Sequence, residues 1–265
     1  MYKKLTQEWI DWIIENVQRG VKKEEILAIL LKENFEPTEC KVILGIELDH
    51  SDILNAKKSV VGSLTYKANP DIDHENLKDV PAEIYKVHNF LNNEECDQII
   101  KEIKSKLRPS TIASAGEYDA TFRTSSTCDL GYIENDFLKN IDNKICELVG
   151  IESSYGETLQ GQHYLIGQEF KAHTDYFEGS QLEEHDKGRG QRTYTVMIYL
   201  NEDITGGETE FPELDITFKP KTGMALIWNN LNEDGSFNAN TIHQAHPVSK
   251  GEKTVITKWF RQKSV

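Results

Sequence analysis

Between positions 193 and 200 the chain reads Thr193-Tyr194-Thr195-Val196-Met197-Ile198-Tyr199-Leu200, a run of β-branched, aromatic and aliphatic residues with no glycine or proline in it. Its length and residue types predict a buried strand. Working outward, the same signature recurs at Thr158–Leu165, Phe170–His173, Glu208–Phe211, Ile216–Lys219, Met224–Trp228, His243–Val248 and Lys253–Gln262, with turn signals such as Gly206-Gly207 between them. Short strands spaced in this way predict a jelly roll, the double-stranded β-helix. Upstream, Asn92-Asn93-Glu94-Glu95 reads as the capped start of a helix running to about Leu107, with Ile99, Ile100, Ile103 and Leu107 on its apolar side. A second helix is predicted over Asn135–Leu148, so the fold class is α+β: a mainly β catalytic domain with flanking helices.

The N-terminal fifty residues have a different pattern. Trp9, Ile10, Ile13, Ile14 and Val17 recur at helical spacing, Gly20 breaks the run, and a second apolar stripe passes through Ile26, Leu27, Ile29, Leu30 and Leu31. A third piece starts near Pro37 and continues to Leu48. The expected organisation is a helical module over 1–50, a connector over 51–80 containing Asn69-Pro70, and a catalytic domain over 81–265. No residue of the helical module has the arrangement of a reactive group, and a docking or substrate-presenting module is favoured over one that packs against the catalytic domain.

Composition narrows the partners. With 44 acidic against 30 basic residues the formal net charge is −14, whereas nucleic-acid or anionic-lipid binding calls for basic patches. No nucleic-acid or membrane partner is expected, and a basic or neutral peptide is easier to accommodate. Cys40, Cys96, Cys128 and Cys146 form no C-x-x-C pair, so they read as buried free thiols rather than a zinc ribbon or dithiol motif. No apolar stretch is long enough for a transmembrane helix, and acidic residues interrupt the region where a signal peptide would need an apolar core. A cytoplasmic protein is the expectation.

The chemistry is concentrated in His173-Thr174-Asp175, His243 and Lys253. Alternation along a strand places His173 and Asp175 on one face, and His243 would enter from a distant strand. Two imidazoles and one carboxylate on one face of an octahedral ion are the donor set of a mononuclear Fe(II) oxygenase, with open positions left over. A structural zinc site would be closed by a fourth ligand, and none is evident in the sequence. Zinc hydrolysis is the chemical rival, since a three-ligand zinc with bound water is also open. Lys253, expected on the strand neighbouring that of His243, discriminates between them: a hydrolase has no evident need for it, whereas the distal carboxylate of 2-oxoglutarate does. The other histidines, His50, His74, His88, His163, His185 and His246, read as surface or hydrogen-bonded residues.

The flanks of these residues carry a family resemblance. Gln162-His163-Tyr164 with Gly167, His173-Thr174-Asp175-Tyr176-Phe177, Gly190-Gln191-Arg192, Gly206-Gly207-Glu208-Thr209 and Asp234-Gly235 lie upstream of the second histidine. Then follow Thr241-Ile242-His243-Gln244-Ala245-His246-Pro247-Val248, Gly251-Glu252-Lys253 and Lys258-Trp259. Together they resemble the prolyl 4-hydroxylases of the 2-oxoglutarate/Fe(II) dioxygenase superfamily, from about Pro81 to Arg261. The resemblance implies Fe(II) at His173, Asp175 and His243, and 2-oxoglutarate held by Lys253 with Tyr164, Thr195 and Tyr199 as hydroxyl donors. It places Arg192 and Trp259, with Arg261 close by, at the substrate pocket, and Arg123-Thr124-Ser125-Ser126 in a loop folded over a peptide. Two departures stand out: Phe170 replaces a tyrosine that many relatives have near the substrate, and Thr254 replaces an aromatic residue beside the lysine.

The implied reaction consumes O2 and 2-oxoglutarate, releases succinate and CO2, and hydroxylates a substrate C–H, with ascorbate as a reductant. Three readings follow: a peptidyl-prolyl 4-hydroxylase acting on a proline-containing polypeptide, an oxygenase of a free amino acid or small metabolite, and a metal-binding sensor or interaction protein with little turnover.

Overall fold

The computed structural model describes residues 3, 5–35, 37–46, 74–77, 80–111, 121–132, 135–232 and 235–264. The chain divides into two compact units, one built on residues 1–59 and the other on residues 60–232 and 236–265.

The first unit is helical, as its periodicity predicts: α1 (Gln7–Gln18), α2 (Lys23–Lys32) and α3 (Pro37–Leu44). Ile13, Ile26, Leu30, Phe35, Cys40 and Leu44 form its core. Trp9 packs edge-on against Trp12 and Phe35, with ring centroids 5.4 and 4.9 Å apart. The third helix ends at Leu44 rather than Leu48, where Gly45 takes a φ of +60°. His50 and most of the expected connector, Asn69-Pro70 included, lie outside the described residues. The end of that stretch is not a connector, because β1 (His74–Asn76) pairs with β2 (Ile84–Val87).

The second unit is a sandwich of antiparallel sheets. Its larger sheet has eight strands in the order β1-β2-β11-β7-β14-β5-β4-β3. The remaining members are β3 (Arg108–Pro109), β4 (Ser126–Asp129), β5 (Gln160–Tyr164), β7 (Arg192–Tyr199), β11 (Ala225–Asn229) and β14 (Lys253–Arg261). Facing it is a four-stranded sheet ordered β10-β9-β12-β6, from β6 (Phe170–His173), β9 (Thr209–Phe211), β10 (Ile216–Phe218) and β12 (His243–Ala245). The predicted strand His243–Val248 breaks in two, at His246-Pro247: β13 (Val248–Lys250) leaves to pair with β8 (Thr205–Gly206). Gly206 is required there, since its φ is +78° and an added Cβ would lie 2.2 Å from the Pro247 carbonyl oxygen.

Helices cover the outer face of the large sheet. The cap predicted at Asn92 closes α4 (Asn93–Ser105): the Asn92 side chain accepts from the Glu95 N–H at 2.9 Å and the Glu95 carboxylate accepts from the Asn92 N–H at 3.0 Å. Helix α5 (Asp136–Val149) starts at Asn135 and stops at Gly150, whose φ of +68° ends it in a left-handed turn. Their apolar stripes pack on Val196, Ile198, Ile256 and Phe260 from the outer face of the sheet. Tyr164, Met197, Tyr199, Phe211, Trp228 and Val255 fill the space between the sheets, so strands of the large sheet are buried on both sides. This is the double-stranded β-helix expected from the strand pattern.

Candidate active site

The registers bring the chemistry together. In the small sheet His243 of β12 pairs directly with His173 of β6, and in the large sheet Lys253 of β14 pairs with Tyr164 of β5. Lys253 therefore lies on the sheet facing His243, not on a neighbouring strand as expected. Asp175 is likewise displaced from expectation: β6 ends at His173 and Asp175 occupies the bend that follows. The carboxylate nevertheless joins the imidazoles. One ligand atom from each of His173, Asp175 and His243 lies within 4.8 Å of the others, and among the described residues no further His, Cys, Asp or Glu completes the group.

Each imidazole is set for ligation by its far nitrogen. Nδ1 of His173 meets the Lys171 carbonyl at 2.8 Å and Nδ1 of His243 meets the Thr241 carbonyl at 2.9 Å. A carbonyl only accepts, so Nδ1 carries the proton and Nε2 presents its lone pair. Burial, reinforced by the neighbouring His243, drops His173 to about 3, which keeps the ring neutral. Burial alone would raise the Asp175 carboxyl, but His243, His173, Arg192 and the Thr195 hydroxyl hold it below the usual carboxylate range. Phe170 stacks on His173 with centroids 3.5 Å apart, and Trp228 meets His243 edge-on at 4.8 Å. Two neutral lone pairs, one anionic oxygen and an open remainder fit a divalent iron. Among the other described histidines none enters this group: His163 bonds Thr254 and Glu252, His246 bonds Glu210, and His185 lines the outer groove.

From the cluster a narrow cavity runs inward, lined by Gln162, Tyr164, Thr209, Thr257 and Lys253. Lys253 is 1% exposed, its ammonium 5.1 Å from the Tyr164 ring and 5.5 Å from the Tyr199 ring, and it forms no ion pair among the described residues. Burial lowers it to about 7, with Glu208 acting in the opposite direction. An unpaired buried cation facing the metal cluster fits the far carboxylate of a dianionic chelator. Tyr164 lines this cavity and donates to Gln162 at 2.8 Å. Tyr199 and Thr195 do not line it. The Tyr199 hydroxyl is engaged by Thr209 at 2.6 Å, and Thr195 donates to Asp175 Oδ2 at 2.8 Å. Thr257 and Gln162, 3.1 Å apart, were not singled out as donors from the sequence. The alternation of β14 is the signal that finds Thr257, since Lys253, Val255, Thr257 and Trp259 share one face.

On its other side the cluster opens into a groove of about 900 Å³. Phe170, His173, Asp175 and Trp259 line both spaces, so the metal cluster stands at their junction. Arg192 and Trp259 line this groove. The Arg192 guanidinium lies 4.2 Å from the Trp259 ring and grips Glu157 through two bonds of 2.7 Å. Arg261 adds a third bond to Glu157 at 3.1 Å. Burial opposes the Glu157 charge, but the two guanidinia keep its carboxyl below the usual range. Glu157 escaped sequence reading because it lies far from Arg192 in the chain. Arg123–Ser126 is not a free loop: Arg123 bridges to Phe170, Thr124 exchanges hydrogen bonds with Glu169, and Ser126 begins β4. The Nε of Arg123 and Nε1 of Trp259 are buried without a hydrogen-bond partner among the described residues.

Comparison with known proteins agrees with this geometry. Residues 159–261 match the family model of the 2OG-Fe(II) oxygenase superfamily. Prolyl 4-hydroxylase 5 of Arabidopsis thaliana is 35% identical over 196 residues, which are 65% of this chain and 66% of the relative; the chain thus spans about two thirds of that protein's length. A putative prolyl 4-hydroxylase of Acanthamoeba polyphaga mimivirus is 32% identical over 77% of this chain and 85% of its own length. Among solved structures, a viral collagen prolyl hydroxylase from Paramecium Bursaria Chlorella virus-1, in complex with 2OG, is 26% identical with a TM-score of 0.54, covering 67% of this chain and 95% of that one.

Proposed function

The chain belongs to the prolyl 4-hydroxylase family of the 2OG-Fe(II) oxygenase superfamily, and from that premise we propose that it hydroxylates C4 of a proline in a polypeptide, consuming O2 and 2-oxoglutarate. The observation that carries this reading is the junction: one set of donors, His173, Asp175 and His243, stands between an inner cavity ending in a lysine with no ion pair among the described residues and an outer groove of about 900 Å³. Bound there, Fe(II) with 2-oxoglutarate supplies the oxidising chemistry, with ascorbate as an accessory reductant. The protein's own residues orient and exclude. Lys253 neutralises the distal carboxylate, Tyr164 and Thr257 offer hydroxyls within the same cavity, and Phe170 screens His173 from solvent. Arg192 and Trp259 form the wall against which substrate is placed, rigid because Glu157 fixes the guanidinium.

Proline-rich segments are already extended, so little ordering entropy opposes their docking in such a groove. Phe170, lacking a hydroxyl, adds an apolar ring to the groove lining, in keeping with a pyrrolidine ring. A cytoplasmic location is part of the proposal, supported by four cysteines that are all buried and form no disulfide with one another. The test is mass spectrometry of proline-containing peptides and proteins after incubation with the chain, Fe(II), ascorbate and 2-oxoglutarate. One added oxygen on proline, with matching succinate and its loss in His173→Ala, is the expected result. Tightly coupled oxidation of a free metabolite and of no peptide would replace this reading with the small-molecule one.

A further inference from the structure

Asp175 has no strand to hold it, because β6 stops two residues earlier. What fixes its carboxylate comes from the opposite sheet. Thr195 of β7 donates to Asp175 Oδ2 at 2.8 Å, and Asn230, just past β11, donates from Nδ2 to Thr195 Oγ1 at 2.9 Å. Thr195 and Asn230 are fully buried and Asp175 is 5% exposed. The direction of the chain follows from proton counting. A threonine hydroxyl has one proton, and a carboxylate can only accept. With Asn230 supplying an N–H, the Thr195 proton is left for Asp175. Were the amide turned over, its oxygen would compete with Asp175 for that single proton.

Asn230 is anchored independently of this contact. Its N–H donates to the Thr193 carbonyl at 2.7 Å, and its carbonyl accepts from the Asn238 N–H at 3.0 Å. Its Oδ1 is buried without a hydrogen-bond partner among the described residues. A buried unpaired acceptor is destabilising, so packing alone does not account for an amide at this position. Delivering an N–H to Thr195 does.

We propose that Thr195 and Asn230 are positioning residues for the metal, a hydroxyl–amide relay that orients the Asp175 carboxylate, and that Thr195 does not hold the co-substrate. This rests on the reading of the His173, Asp175 and His243 cluster given above. It reverses the role that resemblance implies for Thr195, and it accounts for that hydroxyl lying outside the cavity that leads to Lys253.

The test uses the full chain stripped of metal, with Co(II) as the probe. Dissociation constants by calorimetry and the visible absorption of bound Co(II) are compared for wild type, Thr195→Val, Thr195→Ser and Asn230→Asp, and the KM for 2-oxoglutarate is measured on each with Fe(II). Thr195→Val removes the hydroxyl at near-constant volume. Asn230→Asp replaces the donor by a second acceptor that draws the Thr195 proton away from Asp175. Both should weaken Co(II) binding by about 10- to 100-fold, the usual effect of losing a ligand's hydrogen-bond partner, and shift its absorption, while the 2-oxoglutarate KM at saturating metal stays within about twofold. Thr195→Ser should restore wild-type affinity and spectrum, which a general loss of stability would not do. If Thr195→Val keeps wild-type Co(II) binding but has a KM for 2-oxoglutarate raised tenfold, Thr195 holds the co-substrate and the relay is wrong. Should Thr195→Val fail to fold, unchanged Co(II) affinity in Asn230→Asp overturns the proposal by itself. Co(II) binding that is lost in His173→Ala, in a chain that hydroxylates no prolyl peptide, would remove the reading above and leave the relay standing.

Discussion

Lys253 is a cation with no counter-ion among the described residues, in a cavity whose other end is the metal cluster. Burial is what pulls it to about 7, so in the empty site the ammonium form is lost as pH rises past neutrality. Pairing with a dicarboxylate restores the charged form, which means that the bound state carries the higher pKa and binding takes up a proton. The sign is therefore fixed: 2-oxoglutarate affinity is greatest below about pH 7 and falls above it, by up to about tenfold per pH unit for one coupled proton. The KM for 2-oxoglutarate measured from pH 6 to 9 should rise along that slope, and a flat profile would show that the lysine is charged before the co-substrate arrives. In Lys253→Ala the loss should be about 2 to 5 kcal/mol at pH 6.5, the range for truncating one partner of a desolvated pair, with Co(II) affinity unchanged. Lys253, like His173 and His243, was legible in the sequence because its type and spacing are rare together. The partner of Thr195 was not, since a strand threonine carries no mark of which side chain it will meet across a sandwich.

At the level of elements, Lys253 is the first residue of β14, and a strand's first residue is where pairing is weakest. Asn201, two residues past the end of β7, compensates. Its Nδ2 donates to the Glu252 carbonyl at 2.6 Å and its Oδ1 accepts from the Thr254 N–H at 2.8 Å, so one side chain grips the backbone on both sides of the lysine. Asn201→Ala should raise the KM for 2-oxoglutarate several-fold and leave Co(II) affinity as it was; equal losses in both would indicate a general loosening of the sandwich. Asn201→Asp can still accept from Thr254 but not donate to Glu252, and an intermediate KM is expected. Apart from β8 and β13, the strands from Phe170 onward were readable because they are apolar or alternate cleanly. β4, Ser126-Thr127-Cys128-Asp129, was not: its residues are small and polar, and they enter the sheet through pairing with β5 rather than through any pattern of their own. β2 is only four residues long, and Asn229 and Tyr194 meet it through Glu83 just before its start. Such long-range bonds have no local signature.

On the scale of the whole molecule, the two units each have a core of their own, with Ile26 and Leu30 central to one and Ile99, Ile145 and Ile256 to the other. The helical unit contributes none of the metal, co-substrate or groove residues named here. Deleting residues 1–59 should accordingly leave succinate formation without peptide nearly intact while raising the KM for a protein substrate. If the KM for protein substrate is unchanged and only stability falls, the unit is a packing element rather than a recruiting one. The periodicity of its helices was plain in the sequence; its purpose was not, because an amphipathic helix does not name what it binds. One consequence concerns how such a molecule can change over generations. All nine residues of β14 are buried, Lys253, Val255, Thr257 and Trp259 toward the cavity and Ile256 and Phe260 toward the helices. Because side chains alternate, a single inserted or deleted codon before Lys253 would exchange the two faces at once, turning the lysine outward and aiming core residues at the metal. Diversity in this strand can therefore accumulate by substitution but not by length change. Libraries meant to alter substrate choice should randomise positions in β14 at constant length and place insertions in the exposed turns.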